Sequence, residues 1–145
     1  MCGFIIHQRD HTKVNGMRAI EEIGYRGLRS KYRGYKCWKE YDLLHTALPM
    51  VDPDPDVAIQ PIQYDDEPPS LFVGEIFNYK DFGDYPSDAH MIHSKYREEL
   101  NHEFFHKFDG FWSYITFFND APIAYTDFLG IKPIYYRRDV EVMAS

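Results

Sequence analysis

Hydrophobic and polar residues follow two different periods along the chain, and together they predict a mixture of helices and strands. Apolar residues at three- and four-residue spacing predict one helix after Asn15 and another after Ser87, since both are favourable N-cap residues. Gly24 is predicted to end the first of these helices. Short apolar runs of strand length predict β-strands at 3–7, 44–51, 71–76, 111–118, 123–126 and 133–137.

The strand predicted at 111–118 is apolar at almost every position, so its sheet is expected to be covered on both faces. Strands and helices in this order predict an α+β domain of layered sheets. The 145 residues have the length of one ordinary domain, and residues 1–145 are therefore expected to form a single unit. A content of 44% hydrophobic and 17% aromatic residues can fill a core and excludes disorder as the overall state.

Charge is distributed in two blocks of opposite sign. Residues 26–39 carry six Lys and Arg and no acid, while residues 52–69 carry six Asp and Glu together with five prolines. The basic block predicts a solvated surface hairpin or loop, with a phosphate or RNA site as the alternative. The acidic block predicts a solvated loop, because its prolines cannot continue a helix or a central strand. The formal charge of -7 argues against a surface built to bind nucleic acid.

The sequence carries no sign of a membrane or secretion segment. Its apolar runs are far shorter than the roughly 18 residues that span a bilayer. The N-terminus has no basic head followed by an apolar stretch, as a secretion signal would have. The two cysteines, Cys2 and Cys37, do not predict a disulfide framework. We therefore expect a reducing, cytoplasmic location and no membrane partner.

Cys2 is the first candidate for chemistry. Once Met1 is removed, the Cys2 thiol lies within reach of its own α-amine, which titrates near ~7.7–8 and suits a general base at neutral pH. One residue then supplies both the nucleophile and the base. Gly3 beside it allows a substrate to approach the main chain closely. Taken alone, a cysteine at the second position is more often incidental.

Several short motifs occur along the chain in the order of a known family. Residues 1–5 read Met-Cys-Gly-Phe-Ile, residues 25–27 read Tyr-Arg-Gly, and residues 74–79 read Gly-Glu-Ile-Phe-Asn-Tyr. With these motifs the chain resembles the class II glutamine amidotransferases, most specifically the asparagine synthetase branch. That family has His-Arg-Gly at the second motif and Asn-Gly-Glu-Ile-Tyr-Asn around the third.

The resemblance continues through the second half of the chain. Residues 87–88 match the family's Ser-Asp, and residues 108–111 resemble its Leu-Asp-Gly-Met/Phe. Residues 127–136 read Asp-Phe-Leu-Gly-Ile-Lys-Pro-Ile-Tyr-Tyr, close to Asp-Pro-Leu-Gly-Ile-Lys-Pro-Leu-Tyr-Tyr. Residues 142–145 resemble the strand that follows in the family. The motifs are weak singly, but in this order they cover essentially the whole chain.

The resemblance implies a four-layer αββα sandwich of the N-terminal-nucleophile amidohydrolase type, with glutamine as the small-molecule substrate. Cys2 would be the nucleophile, and the Gly74 N–H would be an oxyanion donor. Asp88 would hold the glutamine α-ammonium, and Glu75 and Arg26 are the other candidate substrate-binding residues. No cofactor and no metal are implied. The structural alternatives are that Gly74 permits a tight strand end and that Asp88 complements the positive end of its helix.

Two positions depart from the family pattern. The family places an Asn before the oxyanion glycine as a second donor, and here that residue is Val73. It clamps the glutamine α-carboxylate with an Arg at the position of Ala47. Losing one oxyanion donor costs about 10²–10³-fold in turnover, and losing a charge-assisted contact costs roughly another ten- to hundredfold. Arg26, Arg29 or another base of residues 26–39 is a candidate to replace the clamp.

Three functions therefore stay open at this point. The first is glutamine hydrolysis by Cys2, with the ammonia passed to a partner synthetase chain, since no acceptor domain is evident. The second is a binding or regulatory module that keeps the fold but has lost turnover, as Ala47 and Val73 suggest. The third is an amidohydrolase for a small amide without an α-carboxylate, which would also explain Ala47.

A rival motif for metal chemistry occurs at residues 102–106, which read His-Glu-Phe-Phe-His. On a helix, two His at this spacing can bind one zinc ion with the Glu as base. The motif needs a third ligand on a following helix, but an aromatic strand follows instead, so no metal site is expected. His90 and His93 are predicted to lie on the surface of the helix after Ser87.

Overall fold

The computed structural model describes residues 2–9, 15–24, 32–48, 54–99, 102–140 and 142–145. Its strands are β1 (Gly3–Gln8), β2 (Arg33–Trp38), β3 (Tyr41–Thr46), β4 (Leu71–Ile76), β5 (Gly110–Phe118), β6 (Ala121–Thr126), β7 (Tyr135–Arg137) and β8 (Val142–Ala144). Its α-helices are α1 (Gly16–Glu22), α2 (Pro55–Ala58) and α3 (Asp88–Glu99). Short 3-10 helices lie at Tyr79–Phe82, Glu103–Lys107 and Arg138–Val140.

The strands form two antiparallel sheets, so the predicted α+β class is confirmed. The first sheet has the order β2-β3-β1-β8-β7, and the second has the order β4-β5-β6. β1 lies between β3 and β8, with Gly3 opposite Thr46 at its beginning. The first strand of the chain is therefore a central strand, and the residue before it lies at one end of the sheet.

The two sheets pack against each other through one apolar cluster. Successive side chains of a strand point to opposite faces, so alternate residues of β1, β3, β4 and β5 reach this cluster. Its buried members are Phe4, Ile6, Tyr41, Leu43, Leu71, Val73, Ile115 and Phe117. Cys2, Trp38, Ile134 and Met143 are partly buried against it. We call this set the inter-sheet cluster.

The opposite face of each sheet is covered by a helix. Ile5 of β1 and Leu44 of β3 pack with Ile20 of α1. On the other side of the molecule, alternate residues of β4 and β5 pack with α3 and the second 3-10 helix, in a cluster of Ile62, Phe72, Ile76, Ala89, Met91, Ile92, Tyr96, Phe104, Trp112 and Tyr114. β5 therefore contributes to clusters on both of its faces, which confirms the coverage predicted from its apolar sequence.

The predicted helix starts are confirmed by their capping contacts. The Asn15 side chain accepts a hydrogen bond from the Arg18 N–H at 3.0 Å, and α1 follows it. The Ser87 hydroxyl accepts from the His90 N–H at 3.4 Å at the start of α3. Each cap satisfies a main-chain N–H that the first helical turn leaves without a partner.

For residues 26–51 the predicted surface hairpin is confirmed at residues 33–46, but its strand β2 was not predicted and the bounds of its partner strand are corrected. Residues 33–38 of the basic block form β2, which makes a hairpin with β3 around Lys39 and Glu40. β2 is an edge strand with a solvated face, and its polar sequence therefore concealed it. The strand predicted at 44–51 begins earlier, at Tyr41, and ends at Thr46, while residues 49–51 lie outside the described residues.

The acidic segment 52–69 contains one short helix where a loop is predicted. α2 begins after Asp54, whose carboxylate accepts a hydrogen bond from the Asp56 N–H, and has Pro55 at its first position. Proline fits there because the first helical N–H has no acceptor within the helix. Beyond α2, residues 59–69 lack regular structure apart from an isolated bridge between Ile62 and Ser70.

His93 is buried, so its predicted place on the surface of the helix is wrong. It points into the layer between α3 and the second sheet, where its Nδ1 lies 2.7 Å from the Ser70 hydroxyl. Its Nε2 lies 4.0 Å from the Glu67 carboxylate. Burial lowers the pKa of His93 to about 4, and the nearby Arg97 and His90 act in the same direction. The imidazole is therefore neutral in the folded protein at physiological pH.

The contribution of His93 to the free energy of unfolding should fall as the pH is lowered from about 6.5 to about 4, whereas Asp88, whose pKa is raised, contributes in the opposite sense over part of this range. Over this range the unfolded chain binds a proton at His93 and the folded chain does not, so acid favours unfolding by up to about 1.4 kcal/mol per pH unit. His93→Gln keeps a hydrogen-bonding partner for Ser70 and removes the titration. Denaturant unfolding at a series of pH values should therefore give a smaller pH slope for this variant.

The comparison variant is His106→Gln, the same substitution at an exposed histidine of the second 3-10 helix, so that the slope of His93→Gln is compared both with this variant and with the unaltered protein. Equal slopes for His93→Gln and the unaltered protein would show that His93 takes up its proton in the folded state.

Candidate active site

Cys2 lies at the beginning of β1, on the side of the first sheet that faces the second sheet. Strand alternation puts its side chain on the face that carries Phe4 and Ile6, and it packs against the inter-sheet cluster. Extending the pairing of Gly3 with Thr46 by one residue brings Cys2 opposite Ala47. The Cys2 Sγ lies 3.8 Å from the Leu48 carbonyl oxygen. The thiol is thus held at one end of the layer between the sheets.

The pKa of the Cys2 thiol is set by burial and by charges of both signs. Burial has the largest effect and raises the pKa, because a thiolate loses its hydration there. The Asp88 carboxylate also raises it, and the Lys132 ammonium lowers it. Two groups that are distant in sequence therefore act on the same sulfur atom. Sequence reasoning selected Asp88 for this site and missed Lys132.

Gly74 lies inside β4 with φ +132°, a conformation that side-chain-bearing residues rarely adopt. A Cβ at this position would collide with the Phe111 carbonyl oxygen and lie 2.6 Å from the Trp112 Cα. The close approach of β5 therefore requires glycine here. This is a packing reason for the residue and agrees with the structural alternative named above.

The Gly74 N–H is directed away from β5. Its register partner, Trp112, is hydrogen-bonded to Asp127 and not to Gly74: the Trp112 N–H donates to the Asp127 carboxylate, and the Trp112 carbonyl oxygen accepts from the Asp127 N–H. The N–H groups two residues to either side bond to groups beyond the outer edge of β4: that of Phe72 to the Gln60 side chain and that of Ile76 to Asp88. Since main-chain groups alternate in direction along a strand, the Gly74 N–H points to the same outer edge.

Asp88 joins the start of α3 to the end of β4. Its Oδ2 accepts from the Ile76 N–H at 3.0 Å, and its Oδ1 accepts from the Ala89 N–H at 2.8 Å. Burial raises the pKa of Asp88 to about 6, since the main-chain donors only partly offset the lost hydration and Glu75 adds a second negative charge. The carboxylate is therefore ionised at neutral pH and lies close enough to affect the Cys2 thiol.

Glu75 belongs to the same region. It alternates with Gly74 along β4, so its side chain lies on the face that carries Val73 and looks toward the first sheet. It is half-buried and lies directly opposite Phe111 of β5. Its effect on the pKa of Asp88 adds a second carboxylate to the negative side of the site.

The two positions that depart from the family pattern serve packing. Ala47 is 2% exposed, and its N–H donates to the Tyr32 carbonyl oxygen at 2.9 Å. Val73 is 3% exposed and is a member of the inter-sheet cluster. Neither side chain can donate a hydrogen bond to a substrate. Arg26 and Arg29, the two candidates named to replace the clamp, lie outside the described residues.

The histidine pair of the metal motif does not lie on an α-helix. Residues 103–107 form a 3-10 helix, and His102 precedes it as the N-cap. Within the described parts of the chain, no group of three His, Cys, Asp or Glu side chains is placed to hold a metal ion. The two histidines instead border a cavity of about 600 Å³ on the outer face of the second sheet, with Phe105, Phe108 and Trp112.

The chain matches no model of a known protein family, and no curated protein resembles it significantly in sequence. None of the helices in the described ranges has the length and apolar character needed to cross a bilayer.

Gly74→Ala should lower the free energy of unfolding by more than Gly130→Ala. Both glycines have positive φ, but a Cβ at Gly130 meets nothing within 4 Å, whereas one at Gly74 collides with β5. Gly130, at φ +62°, lies in the left-handed region, where an added Cβ costs about 1–2 kcal/mol. Denaturant unfolding of both variants should show a larger loss for Gly74→Ala, because the clash with β5 and the less accessible φ of +132° both act there. Equal losses would contradict the close approach of the two strands.

Asp88→Asn should lower the pKa of the Cys2 thiol, because it removes a negative charge that disfavours the thiolate. The asparagine oxygen can still accept from the Ile76 N–H. The pH dependence of Cys2 alkylation by iodoacetamide, measured by intact mass in a Cys37→Ala background, gives this pKa. Asp81→Asn, at an exposed residue of the first 3-10 helix, should leave it unchanged. An unchanged or higher pKa of the Cys2 thiol in Asp88→Asn would contradict an electrostatic effect of Asp88 on this thiol.

Proposed function

We propose that this chain is a glutamine amidotransferase-type domain in which Cys2 hydrolyses the side-chain amide of glutamine. The observation that carries the proposal is that the partly buried Cys2 thiol lies at the end of the inter-sheet cluster, where the Asp88 carboxylate and the Lys132 ammonium, remote in sequence, both affect its pKa. The motif order supports glutamine as substrate. The ammonia would pass to a partner synthetase chain, and the free cysteines fit a cytoplasmic location.

The order of the apolar clusters supports a four-layer αββα sandwich of the N-terminal-nucleophile type. From one side of the molecule to the other, α1, the first sheet, the second sheet and α3 are joined by successive clusters. Cys2 at the start of a central strand, facing the layer between the sheets, fits a nucleophile at the open end of such a sandwich.

The proposed reaction uses the α-amine of Cys2 as base after removal of Met1. The thiol proton passes to this amine as the Sγ attacks the amide carbon and forms a tetrahedral oxyanion. The amine then returns the proton to the leaving nitrogen, the C–N bond breaks, and ammonia departs. Water attacks the resulting thioester, which breaks the C–S bond and gives glutamate and the free thiol.

The Gly74 N–H is the proposed oxyanion donor. Its direction toward the outer edge of β4 supports this role, because a strand neighbour does not occupy it. The Asp88 carboxylate is proposed to bind the α-ammonium of glutamine, with Glu75 adding negative charge beside it. Both oxygens of Asp88 already accept one main-chain N–H each, so the carboxylate is fixed in place before a substrate arrives.

A catalytically degenerate binding or regulatory module is the second candidate function. The observation that favours it is Val73, which is buried and apolar where the family has a donor for the oxyanion. With one donor instead of two, turnover should be lower by about 10²–10³-fold than with a complete oxyanion hole. Slow hydrolysis would support the first function, and binding without hydrolysis would support the second.

Ammonia release from glutamine should depend on Cys2 and on a processed N-terminus. Cys2→Ala should reduce the rate to that of the buffer, because it removes the nucleophile, while Cys37→Ala removes an exposed thiol and should retain the full rate. Intact mass of the same samples establishes whether Met1 has been removed. Equal rates for Cys2→Ala and the processed, unaltered protein would end the proposal.

A further inference from the structure

The main chain of Lys132 is held by two hydrogen-bonding contacts, one at its N–H and one at its carbonyl oxygen, beside the layer between the sheets. Its N–H lies 3.4 Å from the Asp127 carboxylate, and its carbonyl oxygen accepts a hydrogen bond from the Ser113 hydroxyl. Ser113 lies opposite Val73 in the register of the second sheet, and Val73 shares the inter-sheet cluster with Cys2. Two residues further along, Ile134 packs against the same cluster.

The Lys132 ammonium lies over an aromatic ring and has no carboxylate partner among the described residues. Its Nζ is 5.0 Å from the centre of the Phe111 ring. Phe111 is directly opposite Glu75, and strand alternation puts both side chains on the face that looks toward the first sheet. None of the ion pairs in the described ranges involves Lys132, although it is half-buried. Its ammonium group is therefore not paired with a carboxylate of the described residues and is available to bind an anionic group of a ligand.

We propose that Lys132 binds the α-carboxylate of the substrate. It would take the role of the carboxylate-binding arginine, a role that the side chain of Ala47 cannot fill. This inference rests on the proposed function and assigns the residue that binds the carboxylate of its substrate. Asp88 and Glu75 supply negative charge for the ammonium group, and Lys132 supplies positive charge for the carboxylate. A free amino acid carries both groups on one carbon and matches this pair of opposite charges, whereas a simple amide matches neither.

The test measures how well two ligands protect Cys2 from alkylation by iodoacetamide. One ligand is glutamine, and the other is 4-aminobutanamide, which is glutamine with hydrogen in place of the carboxylate. The proteins carry Cys37→Ala, have a processed N-terminus, and hold Lys, Gln or Arg at position 132. Each protection curve is divided by the alkylation rate without ligand, which cancels any change in thiol reactivity.

Lys132→Gln should raise the glutamine concentration for half-protection by about 10- to 100-fold, the usual effect of losing one charge-assisted contact. The half-protecting concentration of 4-aminobutanamide should stay the same. Lys132→Arg keeps the charge and should retain most of the protection by glutamine. The control is Lys39→Gln: Lys39 also lies over an aromatic ring, that of Trp38, but in the β2–β3 turn at the other end of the sheet. It should change neither curve.

Three results would overturn the role of Lys132: equal protection by glutamine in Lys132→Gln and the unaltered protein, weaker protection by both ligands alike, or no protection of the unaltered protein by glutamine. An absence of ammonia release alongside the expected protection pattern would overturn hydrolysis and leave the carboxylate site standing. Ammonia release with an unchanged KM for glutamine in Lys132→Gln would overturn the carboxylate site and leave hydrolysis standing.

Discussion

The face-to-face packing of the two sheets is the interaction on which the rest of the structure depends. It buries alternate residues of four strands, and the thiol of Cys2 is partly buried at one end of the same cluster. The position of the candidate nucleophile therefore depends on the packing of the core. The pKa of its thiol depends on the same packing, because burial has the largest effect on it. A thiol with a raised pKa stays protonated at neutral pH, so a base beside it is needed to remove the proton before the sulfur can act as a nucleophile.

The outer edge of β4 joins the core to the candidate site. An edge strand carries main-chain groups without a strand partner, and proteins cover them with other groups. Gln60 and Asp88 accept from two of these N–H groups, on either side of Gly74. The contact that covers the edge also brings the Asp88 carboxylate near Cys2. A structural need and a proposed binding role are thus met by the same side chain.

The charges around Cys2 are of both signs, and the proposed α-amino-acid ligand is a zwitterion that matches them. Asp88 and Glu75 provide negative charge, and Lys132 provides positive charge from a different part of the chain. Ala47 and Val73 are part of the packed interior, so neither side chain offers a hydrogen-bond donor to the proposed site.

The sequence by itself determined the α+β class, the two helix caps, most of the strands and the proposed nucleophile, because periodicity, capping and short motifs are local properties. It missed β2, whose polar edge position conceals the strand, and it misplaced His93, because a polar residue on a helix can be buried when a partner such as Ser70 meets it. Only the tertiary structure brought Lys132 to Cys2. The two residues are far apart in sequence, so no local pattern can predict that they are neighbours. The packing of the two sheets brings them together.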